Sequence, residues 1–132
     1  AHLRLIRLVQ CKTAFDTRNH TVLQADVGEC TACHHAIVAT PGALELLQET
    51  GFSAAALISR HVHGSWGDLC EEDRAENEFA VSRRLRILSC YRLVDAVRLV
   101  ETPLDKRSAL PTLWIITEAD RSVTTLLRPD EY

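Results

Sequence analysis

The alternation of apolar and polar positions divides the chain into strands and helices. Leu3, Leu5, Ile6, Leu8 and Val9, interrupted by Arg4 and Arg7, predict a strand over 3–9. A second short strand is expected over 21–23, with a turn-like stretch at 16–20 between them. Ile37, Val38 and Ala39 form a short apolar run. Thr40-Pro41 then opens a helix, because threonine can cap it and proline loses nothing at the first helical position. Leu44, Leu46 and Leu47 give that helix its apolar side, and Gly51 can end it. Ser53 can cap a second helix running to about His63, with Ala54, Leu57, Ile58 and His61 on one stripe. Asp68 with Glu71 resembles a capping box for a third helix over 69–84, expected to bury Leu69, Ala75, Phe79 and Ala80.

The remainder reads as β-structure. Ile87, Ser89, Tyr91 and Leu93 fall on one face of a strand over 85–93 by the two-residue period. Strands over 112–118 and 123–128 follow, joined by a turn at 119–122. Residues 94–111 are too long and polar for a tight hairpin and are expected to form an exposed, mobile loop, with 97–100 able to extend the preceding strand. The predicted class is α+β: three helices packed on an antiparallel sheet, made of a C-terminal three-stranded meander plus the N-terminal strand or strands.

Length and composition add bounds. A chain of 132 residues suits one domain and one core, and 46% apolar with 25% charged residues is ordinary for a globular protein. The net charge of -3 argues against a dedicated nucleic-acid binder, although Arg83, Arg84, Arg86, Arg92 and Arg98 cluster in sequence. Their simplest reading is a solvated helix end and strand face. No stretch of 18 apolar residues exists, and the opening segment is too short and charged for a signal-peptide core. A reducing, cytoplasmic setting without membrane contact is therefore expected, and the odd count of five cysteines fits it.

Residues 36–132 resemble an uncharacterised family of small bacterial proteins carried on plasmids and integrated elements. Its members are labelled plasmid-related, and some are labelled as a subunit of a type I restriction system. The resemblance is carried by 37–44, by Arg60-His61-Val62 through Gly64, Trp66, Gly67, Asp68 and Leu69, by Glu71-Glu72-Asp73-Arg74 and Asn77, and by 113–127 with Glu131-Tyr132. Ser65 stands where the family pattern usually has an acid, and 94–111 is longer than the family hairpin. Residues 1–35 are a variable N-terminal part. The resemblance implies a genomic setting rather than a chemistry. A methylating subunit would need a Gly-rich cofactor fold, and the chain has neither the length nor the motif.

Three constellations can carry chemistry. Cys30-Thr31-Ala32-Cys33-His34 spells the attachment pattern of c-type haem, but no export signal accompanies it and no methionine exists to serve as an axial ligand. Cys30, Cys33 and His34 could instead hold zinc, for which a fourth ligand and a second ligand pair are wanting. No cofactor is otherwise expected. The second constellation is His61, His63, Trp66 and Asp68 around Gly64 and Gly67. Its structural alternative is a core histidine, a core tryptophan and a helix cap. The third is the hairpin with Glu118, Asp120, Arg121, Thr124 and Thr125, where Arg121 offers a fork of donors for phosphate or carboxylate. A turn with a surface Arg121–Glu118 or Arg121–Asp120 pair would explain the same residues.

Two functions follow. One is an accessory binding module of a mobile element, acting on a host or phage component through Trp66, Arg121 and the segment 103–107. The other is a metal-independent ribonuclease resembling the barnase and RelE type in architecture. There Glu118 would be the base, His61 or His63 the acid and Arg121 the cation. An unpaired edge strand would also allow a homodimer.

Overall fold

The computed structural model describes residues 36–132 together with the backbone of 6–9 and 22–23. The elements run β1 (Ile6–Val9), β2 (Val22–Leu23), β3 (Ala36–Ala39), α1 (Pro41–Thr50), α2 (Ala54–Val62), α3 (Glu71–Arg83), β4 (Ile87–Arg92), α4 (Ala96–Glu101), a 3-10 turn (Leu104–Ala109), β5 (Thr112–Thr117), β6 (Val123–Leu127) and a closing 3-10 turn (Pro129–Glu131). The strands form one six-stranded sheet in the order β2-β1-β3-β6-β5-β4.

The α+β class and the β4-β5-β6 antiparallel meander agree with the sequence reading, but the sheet is mixed. β6 pairs parallel with β3, Ile37 opposite Thr124 and Ala39 opposite Leu126. Hydrophobic periodicity is blind to strand direction, so the all-antiparallel expectation fails there. The parallel pair requires a crossover, and the whole stretch from α1 to β5 supplies it.

Register sets the faces. Ser89 lies opposite Ile115, which lies opposite Leu126, which lies opposite Ala39. With Ile37, Tyr91, Leu93 and Leu113 these residues make the face on which Leu46 and Leu47 of α1 and Leu57 and Ile58 of α2 are buried. Of the predicted Ile87-Ser89-Tyr91-Leu93 face, Ser89, Tyr91 and Leu93 are buried on the core side and Ile87 is half-buried.

Local capping explains the helices. Thr40 accepts from the Ala43 amide at 3.0 Å, and its own hydroxyl donates to Glu131 Oε1 at 2.7 Å. The Glu131 carboxylate also accepts from the Arg128 amide at 2.9 Å. It fills the space where a Cβ on Gly42 would stand, 2.7 Å from Oε2. A carboxylate beside the exposed amides of a helix start is favourable, so the closing turn is pinned to α1.

Three local expectations need correction. Asp68 does not cap α3: the N-cap is Cys70, with no side-chain cap bond, and Asp68 pairs with arginines instead. The buried side of α3 is Asn77 and Ala80, while Phe79 is 53% exposed and Ala75 is exposed too. α3 lies along the edge of β4 rather than on a sheet face, so little of it needs to be apolar. Residues 94–111 are not a structureless loop. Asp95 caps α4 by accepting from the Arg98 amide at 2.7 Å, and the 3-10 turn follows.

The outer edge of β4 is closed. Asn77 Nδ2 donates to the Leu88 carbonyl at 2.6 Å, and the Leu88 amide donates to Asn77 Oδ1 at 3.1 Å. Two residues on, the Cys90 amide donates to Trp66 O at 2.9 Å and the Asp68 amide donates to Cys90 O at 2.7 Å. This bridge needs glycine at 67: its φ is 82°, in the left-handed region, and an added Cβ would lie 2.2 Å from the Cys90 carbonyl oxygen.

Candidate functional site

His61 sits in the last turn of α2, on the stripe that faces the sheet, and is 5% exposed. Its Nδ1 lies 2.5 Å from Ser89 Oγ and its Nε2 lies 2.7 Å from Thr117 Oγ1. Thr117 Oγ1 is in turn 2.8 Å from Thr124 Oγ1. Ser89, Thr117 and Thr124 come from three adjacent strands and are all buried, so the imidazole is enclosed between hydroxyls at one end of the core. Buried polar groups are costly unless paired, and here both ring nitrogens have partners.

His63 points elsewhere. It is the exposed C-cap of α2, with Nδ1 2.7 Å from the Ser59 carbonyl. Trp66 is 7% exposed and belongs to the core, so it is not the surface anchor the sequence suggested.

The tip of the β5–β6 hairpin is built by its own polar residues. Asp120 Oδ1 accepts from the Ser122 amide at 3.0 Å and its hydroxyl at 2.6 Å; these bonds hold its carboxyl below the usual aspartate range. Arg121 adopts φ 61°, and its guanidinium donates to the carbonyls of Leu85 (2.6 Å), Glu118 (3.1 Å) and Ala80 (3.1 Å). It therefore closes the C-terminal end of α3, where carbonyls lack helical partners and a cation is favourable. Glu118 pairs with Arg86 at 3.3 Å, and Arg86 also donates to the Tyr132 hydroxyl. Tyr132 meets Trp114 edge-on at 5.8 Å. Thr125 is half-buried on the sheet face opposite the core.

The structure thus joins His61 to Thr124 at the base of the hairpin and engages Glu118 and Arg121 with other partners at its tip. Cys30, Cys33 and His34 lie outside the described residues, and among the described residues no group of three or more His, Cys, Asp or Glu side chains could hold a metal. Nor is any helix among them long and apolar enough to cross a membrane.

The Asp68 corner was only half legible. Its carboxylate accepts from Arg92 Nε at 2.9 Å and from Arg107 Nη1 at 3.1 Å. Burial alone would push its carboxyl up; the two guanidinium groups outweigh that and hold it below the usual range. Arg92 was read as part of a solvated arginine cluster and Arg107 as part of the segment 103–107; their pairing with Asp68 was missed, since nothing local marks residues that meet across the fold. A hydroxyl at an inward strand position is a readable signal: Ser89 interrupts Ile87, Tyr91 and Leu93, and His61 interrupts the stripe that faces it.

α4 and the turn after it present apolar residues to solvent. Val97 is 66% exposed, Val100 78% and Leu104 79%, whereas neither element contributes a buried residue. The arm is closed at its base by the Leu93 amide donating to Pro111 O at 2.7 Å and tied to the body by Arg107–Asp68.

Comparison of the chain with protein-family models, with characterised proteins and with solved structures finds no match.

Proposed function

We propose that the protein is an interaction module, of the accessory kind mobile elements carry, that binds a protein partner of host or phage origin through the arm at 95–107. The observation that carries this reading is the exposed series Val97, Val100 and Leu104 on a helical arm closed at its base and tied to the body through Arg107. Leaving three large aliphatic side chains in water forgoes burial energy on folding, which a partner can supply. The arm's charges balance: Asp95, Glu101 and Asp105 against Arg98, Lys106 and Arg107. A neutral apolar surface suits a protein groove better than a phosphate backbone, which selects for excess positive charge.

The ribonuclease reading receives less support. Of its two candidate acids, His61 is enclosed and His63 caps the exposed end of α2 against the Ser59 carbonyl; its cation Arg121 is directed at three carbonyls, and its base Glu118 is paired with Arg86.

The test compares the parent with Val97→Ser/Val100→Ser/Leu104→Ser and with Arg121→Ala in affinity capture from host and phage-infected lysates, followed by binding measurements on the purified captured protein. The arm variant should keep its fold by circular dichroism and lose the partner by at least tenfold in affinity, while Arg121→Ala retains it. Equal binding by the arm variant, or cleavage of purified RNA by the parent that Arg121→Ala abolishes, would overturn the reading.

A further inference from the structure

Arg92 and Arg107 approach Asp68 from different elements, the end of β4 and the turn after α4, and each engages one oxygen of its carboxylate. Arg92 also donates from Nη1 to Thr112 Oγ1 at 2.7 Å, and Arg107 donates from Nε to Thr102 O at 3.3 Å. On each guanidinium that leaves Nη2 without a hydrogen bond among the described residues. The side chains are only 15% and 19% exposed, so these amino groups are partly withdrawn from water. Arg74, donating to Gly67 O at 3.0 Å, lies on the same corner.

We propose that Arg92 and Arg107 form a two-armed binding site for a small oxyanion, a phosphate or carboxylate group, in which Asp68 fixes the separation of the two guanidinium groups and the ligand takes the two remaining amino groups. Planar guanidinium groups favour ligands with two or more acceptor oxygens, and charged donors partly withdrawn from water bind such oxygens more strongly than exposed ones do. The site is independent of the binding face at Val97, Val100 and Leu104, since it uses the opposite, body-facing side chain of the arm. Either proposal can fail alone.

The experiment follows the Arg Nε–H signals of the intact, nitrogen-15-labelled protein by NMR while inorganic phosphate, acetate or chloride is added at matched ionic strength. Arg92 and Arg107 should shift saturably with phosphate or acetate, with the exposed Arg98 unmoved. Preference for phosphate assigns a phosphoryl ligand, and equal response to acetate assigns a carboxylate. Arg107→Gln, which removes one of the two arms, should weaken binding of the same anion roughly tenfold. A uniform, unsaturating drift of all the arginines in the parent would overturn the proposal, whether or not the variant folds.

Discussion

Replacing Asn77 by alanine removes both partners of the Leu88 backbone at one stroke. The amide and carbonyl of Leu88, bonded to Asn77 at 3.1 and 2.6 Å, are left facing α3. A buried backbone group without a partner costs about 1–3 kcal/mol, and two lie here. Leu88 is only half-buried, so water recovers part of the loss. Taking the low end for each group gives about 2 kcal/mol. Alanine returns about 0.5 kcal/mol as the better helix former, leaving a net loss of about 1.5 kcal/mol. Urea unfolding followed by tryptophan fluorescence should show the midpoint falling by roughly 1 M at an unchanged slope, given typical slopes of about 1–3 kcal/mol per molar. Asn77→Asp sharpens the test. The carboxylate keeps the acceptor for the Leu88 amide but sets a charged oxygen against the Leu88 carbonyl, where Asn77 had a donor. The ionised form is disfavoured in the folded state, which raises the folded pKa above the unfolded value of about 3.9. The variant should therefore be weakest near neutral pH and recover toward the parent as pH falls through its folded pKa. Asn77→Ala within about 0.5 kcal/mol of the parent, or Asn77→Asp with no relative recovery in acid, would refute the edge-clamp argument.

Two further outcomes are expected. Gly67→Ala should destabilise by more than about 2 kcal/mol, because its Cβ would meet the Cys90 carbonyl, whereas Gly51→Ala, equally left-handed but with open space around it, should cost about 1 kcal/mol; equal losses in urea unfolding would deny the bridge its importance. Asp68 has a folded pKa below its unfolded value, so its contribution is present above about pH 4 and is lost as pH falls through the folded value. Asp68→Asn should accordingly show a shallower decline of stability in acid, and superimposable acid limbs for variant and parent would contradict the pairing with Arg92 and Arg107.

Much of the architecture was legible because it is written in local rules. Thr40-Pro41, Gly51 and Ser53 mark helix ends by side-chain size and bonding capacity alone, and the structure uses each as expected. The inward face of β4 followed from a period of two. α3 was misread where its tertiary role differs from that of an amphipathic helix: it serves the edge of β4 through one asparagine, which leaves Phe79 outside and no apolar stripe to detect. The parallel β3–β6 pairing escaped because strand direction depends on the route between strands. At the candidate sites, single residues were visible and their partners were not. Asp68 looked like a cap because Glu71 follows three residues later, while its real partners lie 24 and 39 positions away. Arg121 looked available because its sequence neighbours are polar, and only the fold brings the end of α3 to it.

The position of β6 bears on how the chain folds as it is made. Although β6 follows every other strand in sequence, it lies between β3 and β5. Until β6 pairs, β3 and β5 each keep one backbone edge bare, and the β3–β6 contacts, distant in sequence, form slowly. Ribosome-bound intermediates of this protein should offer chaperones sheet edges that the finished fold conceals.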